Sequence, residues 1–130
     1  MSFLTFTTNV AHAKPKKIIK QSREQHGIAS WYGKNLNGRK TASGEKLDLN
    51  DLTIAHRFLP FNSVVRITNK QNGKSVLARV NDRGPFVKNR IVDLTRKTAD
   101  AIGMDSIAPV KVETVYEPLE IAQFYQKKKR

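Results

Sequence analysis

The sequence predicts a mainly β protein that closes into a compact barrel. Several short stretches alternate apolar and polar residues, as half-buried strands do, and Gly, Pro or Asn residues lie between them. Two segments are predicted as short helices, residues 50–55 and 95–102. Short strands joined by turns, with so little helix, favour a barrel over an open α/β sheet. The predicted strands cover residues 27–33, 63–69, 75–81, 90–94 and 108–116. Asn72-Gly73, between the second and third of them, predicts a hairpin.

The composition limits the classes of function. The chain has 130 residues, enough for one domain, and a net charge of +13 that is spread along it. Such a basic protein is attracted to polyanions, whether nucleic acid, anionic lipid or an acidic wall polymer. Cysteine is absent and the three histidines are scattered, so we predict no disulfide, no metal site and no cofactor. No apolar run approaches the length of a membrane span.

The two ends of the chain are predicted to lie outside the barrel. Residues 1–13 end in Ala11-His12-Ala13, the small-x-small pattern of a secretory cleavage site, and predict export to the periplasm or cell envelope. An N-terminus without a targeting role is the alternative. We expect residues 14–26 to form a basic flexible lead-in, residues 27–116 the barrel and residues 117–130 a basic tail. Without a cysteine, the exported protein is not expected to be lipid-anchored.

Asp82 is the leading candidate for chemistry. The predicted strand 75–81 leads into it, and Gly84-Pro85 must end that strand because proline has no N–H for the ladder. The carboxylate is thereby held at the rim of the sheet, where a rigid strand meets a loop, and sites are often built at such rims. The alternative is a carboxylate that only caps a turn, since Asn-Asp-x-Gly is ordinary turn chemistry.

Three further acid/base residues stand at loop or strand ends: Glu45, His56 and Asp93. Each also has an ordinary role open to it. Glu45 can be a solvated loop acid, and His56 can be a half-buried imidazole with satisfied hydrogen bonds. Asp93 can cap the helix that follows it. The residue types alone leave both kinds of role open.

Five segments in order resemble one known family. They are Ala29-Ser30-Trp31-Tyr32-Gly33, Thr41-Ala42-Ser43-Gly44-Glu45, Thr53-Ile54-Ala55-His56, Val80-Asn81-Asp82-Arg83-Gly84-Pro85 and Ile91-Val92-Asp93-Leu94-Thr95. Their order resembles rare lipoprotein A, from Gly27 to about Tyr116. The resemblance implies a six-stranded double-psi β-barrel with one or two short helices. It also implies a septal-ring lytic transglycosylase that acts on bacterial peptidoglycan.

Two features depart from that family. Its members are often lipoproteins, whereas this chain has no cysteine. Many carry a C-terminal repeat domain that binds glycan stripped of peptides, and here only residues 117–130 follow the predicted barrel. More distantly, residues 29–33 and 93–95 look like matching segments of expansins and related endoglucanases, which share the barrel.

The resemblance implies roles for named residues. Cleaving a glycosidic bond needs a carboxylic acid to protonate the leaving oxygen. A lytic transglycosylase then uses the C6 hydroxyl of the sugar instead of water, so that one carboxylate can act first as acid and then as base. The resemblance points to Asp82, Glu45 and His56 as the working set, and the expansin analogy points instead to Asp93. The implied substrate-binding residues are Trp31, Tyr32, Ser43, Asn81 and Arg83.

Alternatives remain open for both the aromatic residues and the function. Trp31 and Tyr32 can be flat platforms for sugars, or one ring can lie in the core. The leading function is a lytic transglycosylase that prefers peptide-poor glycan, and the alternative is a non-catalytic, expansin-like wall-binding or wall-loosening module. A nucleic-acid partner is disfavoured by export and by the lack of aromatic residues clustered among the cations.

Overall fold

A computed structural model describes residues 24–118. Within that range the chain forms six strands, one α-helix and one short 3₁₀ helix. The strands are β1 (Glu24–Trp31), β2 (Thr53–His56), β3 (Val64–Asn69), β4 (Ser75–Asp82), β5 (Arg90–Leu94) and β6 (Ala108–Tyr116). The α-helix, α1, spans Arg96–Ala101, and the 3₁₀ helix spans Lys34–Leu36. The predicted export segment 1–13 lies outside the described residues, as do most of the lead-in and most of the tail.

The six strands close into a barrel in the order β1-β5-β2-β4-β3-β6. The pairs β1/β5 and β2/β4 are parallel, and the other four pairs are antiparallel. Parallel partners need crossover connections, so the chain must pass over the barrel rather than turn back in hairpins alone. This mixed, closed arrangement confirms the prediction of a mainly β, six-stranded barrel and is consistent with a double-psi topology.

The barrel interior is filled by alternate residues of the strands. In β6 the inward positions Ala108, Val110, Val112 and Thr114 are buried, and the residues between them are partly exposed. Such alternation is expected of a strand that has one face in the core. Each fully buried Val, Leu or Ile contributes about 1.5–3 kcal/mol relative to the exposed side chain. The same core holds Val65, Ile67, Val80, Val92 and Leu94.

The predicted helix at residues 50–55 is wrong, because Thr53–His56 forms strand β2. All four residues of β2 are buried, and the strand lies between β4 and β5. A strand covered on both faces lacks the alternation of a half-buried strand, so its pattern does not separate it from a short helix.

The first strand begins earlier than predicted, at Glu24 rather than at residue 27. The last three residues of the predicted lead-in are therefore part of the barrel, where Glu24 to Gly27 pair with β6. Three of these residues are polar, with Glu24 and His26 exposed and Gln25 partly buried, so the hydrophobic pattern gave no sign of them. Backbone pairing extends the strand beyond its apolar part.

The helix and the hairpin predicted from local signals are confirmed. Thr95 caps α1, since its Oγ1 accepts a hydrogen bond from the N–H of Thr98 at 3.3 Å. Gly103, at φ +64°, follows the helix in the left-handed conformation that a C-terminal glycine permits. Gly73, at φ +78°, turns the chain between β3 and β4, as predicted from Asn72-Gly73. Among residues 24–118 there is no helix long and apolar enough to span a membrane.

Candidate active site

The carboxylate of Asp82 is held by three hydrogen-bond donors. Its Oδ1 accepts from the N–H of Ala42 at 2.9 Å and from the N–H of Arg83 at 2.8 Å. Its Oδ2 accepts from the hydroxyl of Tyr32 at 2.8 Å. Asp82 is the last residue of β4 and is half-buried. The sheet rim predicted from the sequence therefore carries a fixed, partly accessible carboxylate.

The loop from Thr41 to Glu45 brings the Ala42 N–H to Asp82. The loop is closed on itself, because the N–H and the Oγ1 of Thr41 both bond to the carbonyl of Glu45, at 2.8 and 2.7 Å. Gly44 makes the turn possible at φ +97°. Ser43 fastens the loop to β4, since its N–H donates to the carbonyl of Asn81 at 3.3 Å. We refer to residues 41–45 as the Thr41 loop.

Glu45 ties the Thr41 loop to the outer face of β4. Arg79 donates two hydrogen bonds to its carboxylate, at 2.8 and 3.0 Å, and the Nδ2 of Asn81 donates a third at 3.0 Å. The hydrogen bonds from Arg79 and then Asn81 lower the pKa of Glu45 below its usual range. Two of the three donors belong to the guanidinium cation of Arg79, so Glu45 is held ionised as an anchor, which is a poor state for a proton donor.

Tyr32 follows β1 and is buried, with 9% of its surface exposed. Its ring packs with Leu47 and Ala55 in a small second core, so little ring face is left for a sugar. Burial, together with the hydrogen bond to Asp82, raises the pKa of the Tyr32 hydroxyl above its usual range. The hydroxyl thus stays protonated and can serve as a donor to Asp82 at any working pH.

A cavity of about 270 Å³ opens beside Asp82. Three of its lining residues are cationic, Arg39, Lys40 and Arg83. Arg83 is held in place, because its Nη1 donates to the carbonyl of His56 at 3.1 Å and its guanidinium lies 4.0 Å from the ring centre of Phe61. The complete lining is Tyr32, Leu36, Arg39, Lys40, Thr41, Leu47, Asp82 and Arg83. We call this the Asp82 cavity.

His56 is a buried histidine whose two ring nitrogens both form hydrogen bonds, which is the structural role that the sequence left open. Its side chain is buried, and its Nδ1 accepts the N–H groups of Phe58 and Leu59, each at 3.1 Å. The Nε2 must then carry the proton, which it donates to the Oε1 of Gln25 at 2.8 Å. Burial, helped by the charges of Arg83 and Arg57, lowers the pKa of His56 to about 4. Both ring nitrogens are occupied, and neither bonds to Asp82.

Asp93 does not line the Asp82 cavity, although its charge acts on the Tyr32 hydroxyl. It is half-buried on β5, and its Oδ1 accepts a hydrogen bond from the hydroxyl of Ser30 on β1. The expectation that Asp93 caps the following helix is wrong, because Thr95 is the residue that does so. Its position opposite Ser30 joins two parallel strands of the barrel.

The remaining predicted binding residues have unequal access to a ligand. Arg83 lines the Asp82 cavity, and Ser43 belongs to the loop above it. Asn81 is only 2% exposed, so it acts through Glu45 rather than on a substrate. Trp31 is half-buried and lines a second cavity next to the first. The sequence-based reasoning missed Arg79, although it lies two positions from Asn81 on the same face of β4.

A model of the lytic transglycolase family matches residues 24–114. The chain belongs to this family. The match covers the barrel except for the last two residues of β6. Together with the curated relatives it confirms the predicted resemblance to rare lipoprotein A. Membership also accounts for the shared order of the five segments, three of which meet around Asp82: Tyr32, the Thr41 loop, and Asn81 to Arg83.

Curated relatives agree with the family assignment. The chain is 52% identical over 93 residues to the endolytic peptidoglycan transglycosylase RlpA of Neisseria meningitidis, covering 70% of this chain and 39% of that protein. It is 50% identical over 100 residues to the protein of the same name from Campylobacter jejuni, covering 75% and 36%. The chain thus spans well under half the length of these relatives.

Two solved structures share the fold. An apo expansin of Clavibacter michiganensis superposes with a TM-score of 0.57 at 20% identity, over 74% of this chain and 52% of that chain. A papain inhibitor of Streptomyces superposes with a TM-score of 0.56 at 17% identity, over 78% of this chain and 97% of that chain. At such low identity the likeness concerns the barrel alone.

Proposed function

We propose that this protein is a lytic transglycosylase that cleaves the glycan strand of peptidoglycan and leaves 1,6-anhydro-muramoyl ends. One observation carries the proposal: the carboxylate of Asp82 is fixed by three donors at the edge of a cavity with three cationic residues. The cations suit an anionic wall polymer. The names of the relatives support the same reaction, and peptide-poor glycan is the proposed form of the substrate.

The proton is delivered by the Oδ2 of Asp82. Oδ1 already accepts two backbone N–H groups, whereas Oδ2 accepts only the hydroxyl of Tyr32. Oδ2 therefore keeps the capacity to carry a proton towards the glycosidic oxygen. As the C1–O bond breaks, that proton passes to the leaving oxygen, and the departing strand gains a hydroxyl. The sugar that stays behind develops positive charge at C1.

The same carboxylate completes the reaction as a base. Once Asp82 has lost its proton, it takes the proton of the C6 hydroxyl while that oxygen bonds to C1. The proton returns to Asp82, no water is consumed, and the strand ends in an anhydro ring. The three donors stabilise the ionised carboxylate between the two steps, because each hydrogen bond serves the charged form.

The other acid/base residues position this machinery rather than react. Glu45 fixes the Thr41 loop and with it the Ala42 N–H that binds Asp82. His56 fixes the turn after β2, and its carbonyl holds Arg83. Peptidoglycan lies outside the cytoplasm, so we also propose that the protein is exported to the periplasm or cell envelope, in agreement with the signal predicted in residues 1–13.

The test is digestion of purified wall sacculi, intact and peptide-stripped, with mass analysis of the soluble products. A lytic transglycosylase releases anhydro ends, and a hydrolase releases reducing ends that are heavier by one water. The matched control is Asp82→Asn, which should release almost nothing. Reducing ends would contradict the proposed reaction. No release from either wall would leave an expansin-like binding module as the function.

A further inference from the structure

A second cavity, of about 550 Å³, lies beside the Asp82 cavity. Tyr32 lines both, so the two cavities adjoin at its side chain. A volume of this size falls in the range of ligand pockets. Its lining is Trp31, Tyr32, Lys34, Asn37, Leu49, Asn50 and Arg96. We call it the Trp31 cavity, and nothing in the proposed reaction uses it.

Arg96 is held in a fixed orientation at this cavity. Its guanidinium lies 4.4 Å from the ring centre of Trp31, and its Nε lies 3.0 Å from the Oδ1 of Asp100. The stacking and the ion pair fix the plane of the guanidinium by two contacts. Among the hydrogen bonds of the described residues, none uses the two terminal nitrogens. A planar, prearranged pair of donors suits a carboxylate, which has two oxygens at matching spacing.

The charge of the cavity favours one negative group. The lining contains two cations, Lys34 and Arg96, and no acid. Asp100 offsets the charge of Arg96 from outside the cavity, so one positive charge remains. Lys34 is exposed and makes no ion pair within residues 24–118. The half-buried ring of Trp31 and Leu49 offer an apolar surface beside these cations.

We propose that the Trp31 cavity binds a carboxylate carried on the sugar next to the bond that is cleaved. This inference rests on the proposed function. Every second sugar of peptidoglycan carries a lactyl ether. Its carboxyl group is a neutral amide where a peptide is attached and a free anion where the peptide has been removed. A site that pairs Arg96 with that anion would select peptide-free glycan within the barrel itself.

The test measures binding separately from cleavage. Asp82→Asn protein is titrated calorimetrically with a short peptide-free wall oligosaccharide, and with the same oligosaccharide after its carboxyl groups are converted to methylamides. The free acid should bind about tenfold more tightly, since one charge-assisted pair at a partly exposed site contributes roughly that much. The preference should shrink as salt rises, because the cavity is open to solvent.

Two further variants on the same background assign the preference. Arg96→Gln should weaken binding of the acid about tenfold and leave binding of the amide nearly unchanged, so that the preference disappears. Lys97→Gln is the matched control, since it removes an exposed cation from the same helix and lines neither cavity. It should keep the full preference.

Four outcomes would overturn the inference. Equal binding of the acid and the amide overturns the carboxylate site but leaves the proposed function untouched. Equal weakening of both by Arg96→Gln shows that Arg96 only holds the Trp31 ring in place. A peptide-bearing oligosaccharide, titrated in the same way, should bind as weakly as the amide, and tight binding of it would place the recognised carboxylate on the peptide. Binding of neither oligosaccharide would overturn the proposed substrate as well, which distinguishes that failure from the first.

Discussion

One oxygen of Asp82, Oδ2, is proposed to carry the proton, so a substitution that removes this proton should slow the reaction. Asp82→Asn keeps the size of the side chain but removes the acidic proton, so kcat on peptide-stripped sacculi should fall by about a hundredfold or more. Asp93→Asn is the matched comparison, because Asp93 bonds to Ser30 and lines neither cavity. It should keep most of its activity. An active Asp82→Asn beside an inactive Asp93→Asn would assign the acid to Asp93.

Tyr32 should matter to the rate rather than to substrate binding. Tyr32→Phe removes the donor to Oδ2 while the ring stays buried, so kcat should fall about tenfold with KM and thermal stability little changed. Tyr116→Phe, a half-buried tyrosine at the end of β6, serves as the control and should behave like the unmodified protein. A Tyr32→Phe protein with full kcat would show that Oδ2 needs no partner.

The sequence predicted the position of Asp82 better than its contacts. A strand that must end at Gly84-Pro85 leaves the preceding acid at a rim, and this follows from local turn chemistry alone. The partner hydroxyl of Tyr32 lies 50 positions earlier in the chain, and no local pattern reports such a contact. Asn81 lies on the same face of its strand as Leu77 and Arg79, opposite to the core residue Val80. It is buried there because the Thr41 loop covers it.

The ion pair between Glu45 and Arg79 helps to fasten the Thr41 loop to β4, and a double-mutant cycle can measure its contribution. Glu45→Gln and Arg79→Gln each break the paired hydrogen bonds between loop and strand, and each should lower kcat by displacing the Ala42 N–H from Asp82. The double variant should be no worse than either single one, because the two side chains act as a unit. The pH at which activity is half-maximal should stay unchanged, since Glu45 supplies no proton.

A surface pair elsewhere on the barrel provides the control for that cycle. Arg66 lies 3.9 Å from Glu113, and Arg66→Gln removes a paired arginine from β3 without touching the loop. Its kcat should match that of the unmodified protein. Additive losses in the Glu45 and Arg79 variants would mean that Glu45 acts on the substrate independently of Arg79.

Single strands were predictable where one face alone is buried. Strands β4, β5 and β6 were found by alternation with bounds that differ from the structure by at most one residue. Strand β2 was mistaken for a helix because it is covered on both faces, and β1 was predicted to begin late because its first residues are polar. Side-chain patterns report burial, whereas strand bounds also depend on backbone pairing.

The short strands and turns predicted a closed barrel, but the order of the strands around it could not be read from the hydrophobic pattern. The parallel partners β1 and β5 are separated by most of the barrel sequence, and the pairing of β2 with β4 likewise joins distant segments. Only the hairpin between β3 and β4 is marked locally, by Asn72-Gly73. The double-psi order was therefore available through family resemblance and not through local physical signals.

The net charge of +13 predicts that binding to whole sacculi weakens steeply as salt rises. Exposed cations that line the Asp82 cavity should contribute most, so Lys40→Gln should reduce the dependence of binding on salt. Lys74→Gln removes the same charge from an exposed turn that lines neither cavity, and it should have a smaller effect. Pelleting of sacculi over a salt series measures this. Binding that does not change over the salt series would show that stacking and hydrogen bonds dominate.

The buried ring of His56 makes the stability of the barrel depend on pH. The unfolded chain protonates this residue near 6.5, whereas the folded chain resists protonation down to about 4. The unfolded state therefore binds more protons in this window, so the free energy of unfolding should fall as pH drops from 6.5 towards 4, by at most about 3 kcal/mol. Urea unfolding at several pH values between 6.5 and 4.5 measures the total loss, and comparison with a variant that cannot titrate at position 56 separates the His56 part from carboxylate titration.

The His56→Asn variant isolates that contribution. Its Oδ1 can accept the N–H groups of Phe58 and Leu59 in place of Nδ1, but an amide does not titrate. The variant should be less stable at neutral pH, since the bond to Gln25 is lost, and its stability should change less between pH 6.5 and 4.5 than that of the unmodified protein, with carboxylates such as Glu45 supplying what remains. His26→Asn, which removes an exposed histidine, should keep the slope of the unmodified protein. A flat profile in the unmodified protein would mean that the His56 ring opens to water and takes up its proton without unfolding.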